Sequence, residues 1–413
     1  MIRLVFASLS NRRVVVLLTS VSVALAVFLF TSVERLRVGA RQSFTQTISG
    51  THIIVGARTG QIPLLLSSLF HIGAPTQNIS YRTFLKYKRH AAVSWAVPLS
   101  MGDSYRGFRV VGTTPDIFRY YRYGNRRPIE LKTGALTLTR FKAVLGSSAA
   151  RTLALRVGDK IILTHGISDA QGINDHEENP FVVEAILKPT GTPFDKGIYV
   201  SLDSVELMHD EKTPEEEGHG EHLLYASVKI QKISSVLLGV KEPIDILPLM
   251  RAINEDPSEP LTAILPGVAL SEIWNIMGYV EGALQLVSLL VMLTALCGLF
   301  IALYASLAER YREMAILRAL GASPLKIASL LLAESLILTL SGIFLGYTLF
   351  YGASVFFAGA LFTSLSVATN VFLPSVEEII FISLLLTTSA LVAMVPAAIL
   401  YRRALGEGLK ATK

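Results

Sequence analysis

The chain has 413 residues, of which 51% are hydrophobic and 17% charged, with a formal net charge of +6. That is too apolar for an ordinary soluble domain and too charged for a protein that lies wholly in a bilayer, so a membrane protein with a large aqueous part is expected. The single cysteine, Cys297, falls inside an apolar run, and one cysteine excludes an intramolecular disulfide.

Residues 1–13 carry Arg3, Arg12 and Arg13 and no acid. Val14–Val33 then contains no charge, a stretch long enough to cross about 30 Å of hydrocarbon. A cleaved signal peptide is the competing reading, but the run exceeds an ordinary signal core and no convincing small-x-small site precedes Glu34. An uncleaved first span with its N-terminus inside is therefore expected.

From about residue 34 to 275 the sequence changes to strand-like alternation, Gly/Pro turns and scattered charge. ERLRVGARQSFTQTI continues as a helix out of the membrane. THIIVGARTG reads as a strand and a turn, and Leu64–Phe70 as a helical piece ending near Gly73-Ala-Pro75. Strand signals follow at Ala92–Pro98, Gly107–Gly112 and Phe181–Leu187. Arg140–Val157 predicts a strand, a turn at Gly146 and a short helix. GDKIILTHG predicts one further strand, and PTGTPFDKGIYVSLDSVELM a loop, a strand and a helix start.

Residues 209–222, HDEKTPEEEGHGEH, form an acidic, His-bearing segment. A solvated surface loop is the simpler reading. His209, His219 and His222 with nearby Glu oxygens are a weak candidate metal site, because imidazole suits zinc and ligands on one loop can converge.

Gly282–Ala308 is a second charge-free run, followed by AERYREMAILRALGASPLKIASLLLAES at 308–335. Here charge returns at Glu309, Arg310, Arg312, Glu313, Arg318 and Lys326. Gly321 can take the left-handed conformation that ends a helix. Ser323 offers an N-cap oxygen, and Pro324 suits a first helical position, where its missing N–H costs nothing. The pattern predicts a short interfacial helix at 309–320, with Met314, Ile316, Leu317 and Leu320 among its charges, a tight turn, and a new membrane helix from Pro324. A third span is expected at about Ile327–Tyr351. Glu334 lies in its early part, and an intramembrane carboxylate is a functional candidate by default. A structural role near the interface, paired with an arginine of the preceding segment, is expected for it. Residues 352–376 are expected to form a short uncharged loop, with room for a small apolar helix. A fourth span follows Glu377-Glu378 at about Ile379–Tyr401, kinked by Pro396.

Lys/Arg excess in the N-terminal arm, the 309–326 segment and the tail places these inside, with both termini cytoplasmic. No G-x-x-x-x-G-K-[ST] occurs, so no nucleotide-cradling P-loop is expected. No Ser-His-Asp spacing, H-E-x-x-H or C-x-x-C stands out, and no basic-aromatic face points to nucleic acid.

ER-x-RE-x-A-I-LRALGAS resembles the coupling segment of the FtsX/MacB/LolC permeases. IIVGARTGQIPLLLSSLFHIG, VVGTTPDIF, GSSAARTLALRVGDKI and LKPTGTPFDKGIYVSLDS resemble the periplasmic domain of stand-alone members of that family, and VPAA–RR–EGLK its closing motif. The resemblance implies an α-helical membrane domain of four transmembrane helices with a mixed α+β periplasmic domain inserted between the first and second. The boundaries are 1–33 for the arm and first span, 34–278 for the periplasmic domain, 279–401 for the remaining spans and 402–413 for a cytoplasmic tail. It implies a permease subunit of an ABC transporter in a bacterial inner membrane, surrounded by lipid and working by mechanotransmission. Glu309, Arg310, Arg312, Glu313, Leu317, Arg318, Leu320, Gly321, Ser323 and Pro324 would seat on a separate ATPase that holds the ATP. The chain itself would need no cofactor and catalyse nothing. A second permease copy or a sister permease is implied as a dimer partner, and a periplasmic protein stands as a further candidate. Export or extraction of an envelope substrate is the first functional expectation. A non-transporting regulator of a periplasmic hydrolase, as FtsX is, and a zinc-linked envelope system are the alternatives.

Overall fold

The computed structural model describes residues 13–48, 50–165, 180–209, 228–309, 324–365 and 374–408. The chain divides into two compact units. The first comprises residues 1–38, 278–358 and 369–413; the second comprises 39–277 and 359–368.

Among the described residues, four helices are long and apolar enough to cross a membrane. They are α1 (Arg13–Thr47) and, after six short helices named below, α8 (Pro266–Glu309), α9 (Pro324–Leu365) and α10 (Val376–Gly408). The first and second enclose a mixed α/β domain, as expected. α8 starts well before the charge-free run, with Pro266 at its first position, where proline needs no hydrogen-bond donor. The loop expected at 352–376 is shorter than that, because α9 runs on to Leu365. GASVFFAGALFTSL holds no proline, and nothing in it ends the backbone ladder. Pro396 lies inside α10.

The first unit packs around Val23, Ala26 and Val27 of α1, Met292, Ala295 and Leu299 of α8, Leu331 and Leu338 of α9, and Phe381 and Leu385 of α10. Two glycines of α9 set the closest approach. A Cβ at Gly342 would stand 2.5 Å from Val23, and one at Gly346 2.7 Å from the carbonyl oxygen of Ala24. Small residues let helix backbones meet where lipid gives no hydrophobic drive for association. Across the same seam the Ser20 and Ser341 hydroxyls lie 2.8 Å apart. Phe30 and Phe381 stack with centroids 4.0 Å apart, and Ser335 Oγ donates to the Ser389 carbonyl at 3.0 Å.

Among the described residues, the second unit is built on an 11-stranded mixed sheet. Its main strands are β1 (Ile53–Ala57), β2 (Val93–Tyr105), β3 (Phe108–Thr113), β4 (Leu131–Gly134), β5 (Lys142–Leu145), β6 (Phe181–Leu187), β7 (Ile198–Ser201), β8 (Ser235–Val240) and β9 (Leu261–Ile264). Their order is β9-β1-β8-β2-β3-β7-β5-β6-β4, with β3–β7 and β5–β6 parallel and the other pairs antiparallel. The helices are α2 (Gln61–Phe70), α3 (Tyr81–Lys88), α4 (Asp116–Tyr120), α5 (Ser147–Thr152), α6 (Leu202–His209) and α7 (Ile246–Asn254). β1 and β8 are buried at every position, because neighbours pack on both faces. Ile54 and Leu237 face a core that also takes in α2, α4, Phe44 and Trp274. Ile53, Val55 and Leu238 face a second core with Phe84 and Tyr87 of α3 and Leu249 and Ile253 of α7. A third core joins Ala149 of α5 and Val205 of α6 to β5, β6 and β7.

GDKIILTHG does not form one strand. Lys160–Ile161 pairs with β6 and Thr164–His165 with β2, so the segment crosses between two strands and buries Ile161 and Leu163 on the way.

Candidate functional site

Of the residues singled out in the 309–324 segment, Glu309 is the last residue of α8 and Pro324 the first of α9. Arg310, Arg312, Glu313, Leu317, Arg318, Leu320, Gly321 and Ser323 lie outside the described residues, as do His219 and His222. His209 ends α6. Among the described residues, no cluster of three metal-ligating side chains occurs. Glu334 is buried in α9, 4% exposed, next to Ser335, which bonds α10; the arginines proposed for it are among the residues outside the description.

The structure brings together a group that the sequence marks only as span borders. Arg37 of α1 grips Glu34 one turn back with two hydrogen bonds, Nε to Oε2 at 3.0 Å and Nη2 to Oε1 at 2.8 Å. The same guanidinium reaches Glu281 of α8 at 3.4 Å and Glu377 of α10 at 3.8 Å. Arg35 faces the other way. Its Nε meets Glu378 Oε1 at 2.6 Å and its Nη2 donates to Oε2 at 3.0 Å. Glu378 is 1% exposed and also accepts from Tyr347 of α9 at 3.4 Å. Ser375 and Glu378 cap α10 reciprocally: the Glu378 N–H donates to Ser375 Oγ at 3.2 Å, and the Ser375 N–H to Glu378 Oε2 at 3.3 Å. The result is a charged collar tying all four membrane helices. Taking such pairs out of water costs desolvation that offsets much of their attraction, but losing one partner then strands a buried charge, so each pair holds as long as both members stay. Glu34 closing one charge-free run and Glu377-Glu378 opening another were the available signals.

The second group anchors helix ends in the sheet domain. Phe44 of α1 stacks on Phe70 at 4.5 Å and meets Trp274 of α8 edge-on at 5.7 Å, and Arg41 lies over the Trp274 ring. Ser43 Oγ donates to the Gly191 carbonyl at 2.9 Å, the Tyr121 hydroxyl to the Thr47 carbonyl at 3.0 Å, and the Gly124 N–H to the Gln46 carbonyl at 3.0 Å. Gly191 belongs to the PTGTPFDKG loop, which is organised by Asp195. That carboxylate is 1% exposed and accepts from the Thr190 and Gly191 N–H groups and the Thr190 hydroxyl at 2.8–3.0 Å. Burial pushes its pKa up against the pull of these donors. Phe194 stacks between Tyr121 and Tyr199, and Tyr199 returns a hydrogen bond to the Phe194 carbonyl. Beside this stack His71 sits in the left-handed region, φ 56°, as the C-cap of α2. Burial, aided by the charge of Arg109, lowers its pKa to about 4.

Two family models match the chain, the MacB-like periplasmic core domain over residues 16–255 and the FtsX-like permease C-terminal region over 286–406. The chain belongs to the FtsX/MacB-type ABC permeases. Solved structures with some likeness include the periplasmic region of MacB from Actinobacillus actinomycetemcomitans, 12% identical, with a TM-score of 0.36, covering 57% of this chain and 98% of that one. The extracellular domain of the noncanonic ABC-type transporter YknZ from Gram-positive bacteria is also 12% identical, with a TM-score of 0.31, covering 52% and 99%. No curated protein matches. As an FtsX/MacB-type permease the chain is the membrane component of an ABC transporter, is not itself the catalytic subunit, and belongs with an ABC ATPase. It is a membrane protein with a periplasmic domain.

Proposed function

We propose that this permease couples ATP hydrolysis by its separate ATPase to movement of its periplasmic domain, and so exports or extracts an envelope substrate. One observation carries the reading. α1 and α8 each place residues in two cores. α1 supplies Val23 and Val27 to the membrane core and Phe44 to the sheet core; α8 supplies Ala295 and Leu299 to the first and Leu270 and Trp274 to the second. Close-packed interiors pass a displacement on instead of absorbing it. The segment from Glu309 to Pro324 seats on the ATPase, ATP stays on that partner, and both termini are cytoplasmic. Two copies, or this chain and a sister permease, work as a pair.

The test uses the full-length protein with and without its co-expressed ATPase. Alone it should hydrolyse no ATP. Arg312→Glu with Arg318→Glu should lower coupled activity at least tenfold while the membrane level of the protein is unchanged. Robust hydrolysis by the chain alone, or unaltered coupling in the charge-reversed variant, overturns the proposal.

A further inference from the structure

The ties within the membrane unit are unequal. α1 and α9 meet at the Gly342 and Gly346 seam and through the Ser20–Ser341 hydroxyl pair. α1 and α10 are joined by the Phe30–Phe381 stack and the buried Arg35–Glu378 pair. α9 and α10 are joined by Ser335 to Ser389 and by Tyr347 to Glu378. α8 is held differently. Among the described residues of this unit it packs through apolar side chains such as Met292, Ala295 and Leu299, and its polar link is the Arg37–Glu281 contact at 3.4 Å. A Cβ added at Gly278, Gly282 or Gly298 of this helix would meet nothing within 4 Å, so these glycines make no close helix–helix approach of the kind seen at Gly342 and Gly346. A small cavity lies beside that link, lined by Phe30, Val33, Leu284, Gln285 and Ser288. Arg37 keeps two shorter bonds to Glu34 on its own helix, so losing Glu281 does not leave the guanidinium bare.

We infer that α1, α9 and α10 form one fixed block in the membrane, that α8 is the helix that parts from it, and that Arg37–Glu281 is the releasable tie. Apolar contacts inside a bilayer are exchanged for lipid contacts at little cost, whereas a glycine seam, a ring stack and a buried ion pair have no equal in lipid. Arg37 and Glu281 are thus positioning residues that set when α8 is free to move. The part of this concerning the ATP cycle rests on the coupling proposed above; the division into block and moving helix does not.

The experiment reads the reaction of single cysteines with a membrane-permeant maleimide, in the full-length protein in native vesicles and with Cys297 changed to Ser. Ser288→Cys reports on the α1–α8 cavity, Ser20→Cys on the α1–α9 seam and Ser335→Cys on the α9–α10 seam; all three native side chains are buried. Glu281→Gln should speed labelling at Ser288→Cys at least fivefold and leave the other two within twofold. Glu377→Gln, at the longer 3.8 Å contact, should leave all three within twofold. Where Ser288→Cys does not reach the membrane, Ala295→Cys, 0% exposed on α8, replaces it. Unchanged labelling on α8, or an equal rise at all three positions, overturns the inference. With the ATPase present, ATP should raise α8 labelling in the protein with Glu281 intact. A Glu281→Gln effect without any ATP effect would overturn the coupling reading and leave the block-and-helix division standing.

Discussion

The sheet unit and the membrane unit hold polar groups in their interiors by different means. In the sheet unit Asp195 is satisfied by the backbone and hydroxyl of its own loop, while large side chains such as Tyr199, Phe84 and Phe181 make the core. Water outside drives those rings inward, so burial itself stabilises. In the membrane unit lipid is as apolar as the interior, and leucines do little to choose between neighbours. The selective contacts there are two glycines, a serine pair and arginine–glutamate pairs. One unit is therefore held by what it removes from water, the other by what fits or pairs.

The comparison is tested most severely at Arg35. Arg35→Ala leaves the Glu378 carboxylate buried without its guanidinium, which costs about 3–5 kcal/mol. Arg35→Ala with Glu378→Ala should recover part of the loss, since removing both partners leaves no stranded charge. Detergent-resistant unfolding of the full-length protein measures this; a cost under about 1 kcal/mol for the single variant would mean that the pair behaves like an exposed one.

Acid separates the units next. The folded His71 pKa of about 4 lies below the ordinary 6.5, so the unfolded chain takes up the proton first as pH falls. The stability that His71 permits is whole above pH 6.5 and drains away between there and 4, by an amount on the order of 3 kcal/mol. Trp95 and Trp274 both lie in the sheet unit, so their fluorescence follows its unfolding. His71→Asn keeps a residue tolerant of the left-handed backbone and should flatten the slope between pH 6.5 and 4. An equal slope in the variant would assign the acid sensitivity elsewhere.

The smallest effect compares glycines within one unit. Gly342→Leu forces a side chain into Val23 and should cost about 1–3 kcal/mol. A Cβ at Gly282 meets nothing within 4 Å, so Gly282→Leu should stay within about 0.5 kcal/mol. Similar midpoints for the two variants would remove the α1–α9 seam from the account of what holds the membrane unit.

Much of this protein follows from sequence alone, wherever a short window contains the cause. A charge-free run of membrane length makes a spanning helix, because each backbone group must bond within its own segment. Phe181–Leu187 alternates buried and half-buried positions and is legible as a strand from end to end. Gly146 ahead of a short helix, and the helix beginning at Pro324, are likewise local facts of backbone geometry. β8 escaped that reading because SVLLGV, buried on both faces, has no alternation to see, and GDKIILTHG misled because its two ends pair with different strands. The order of the sheet, the Phe44–Trp274 joint and the charged collar were decided by tertiary structure. Arg35 and Glu378 stand 343 positions apart, and Arg37 and Glu281 stand 244 apart. Which arginine meets which glutamate depends on how α1, α8 and α10 pack, through contacts such as the Phe30–Phe381 stack between distant segments, which composition and periodicity do not encode.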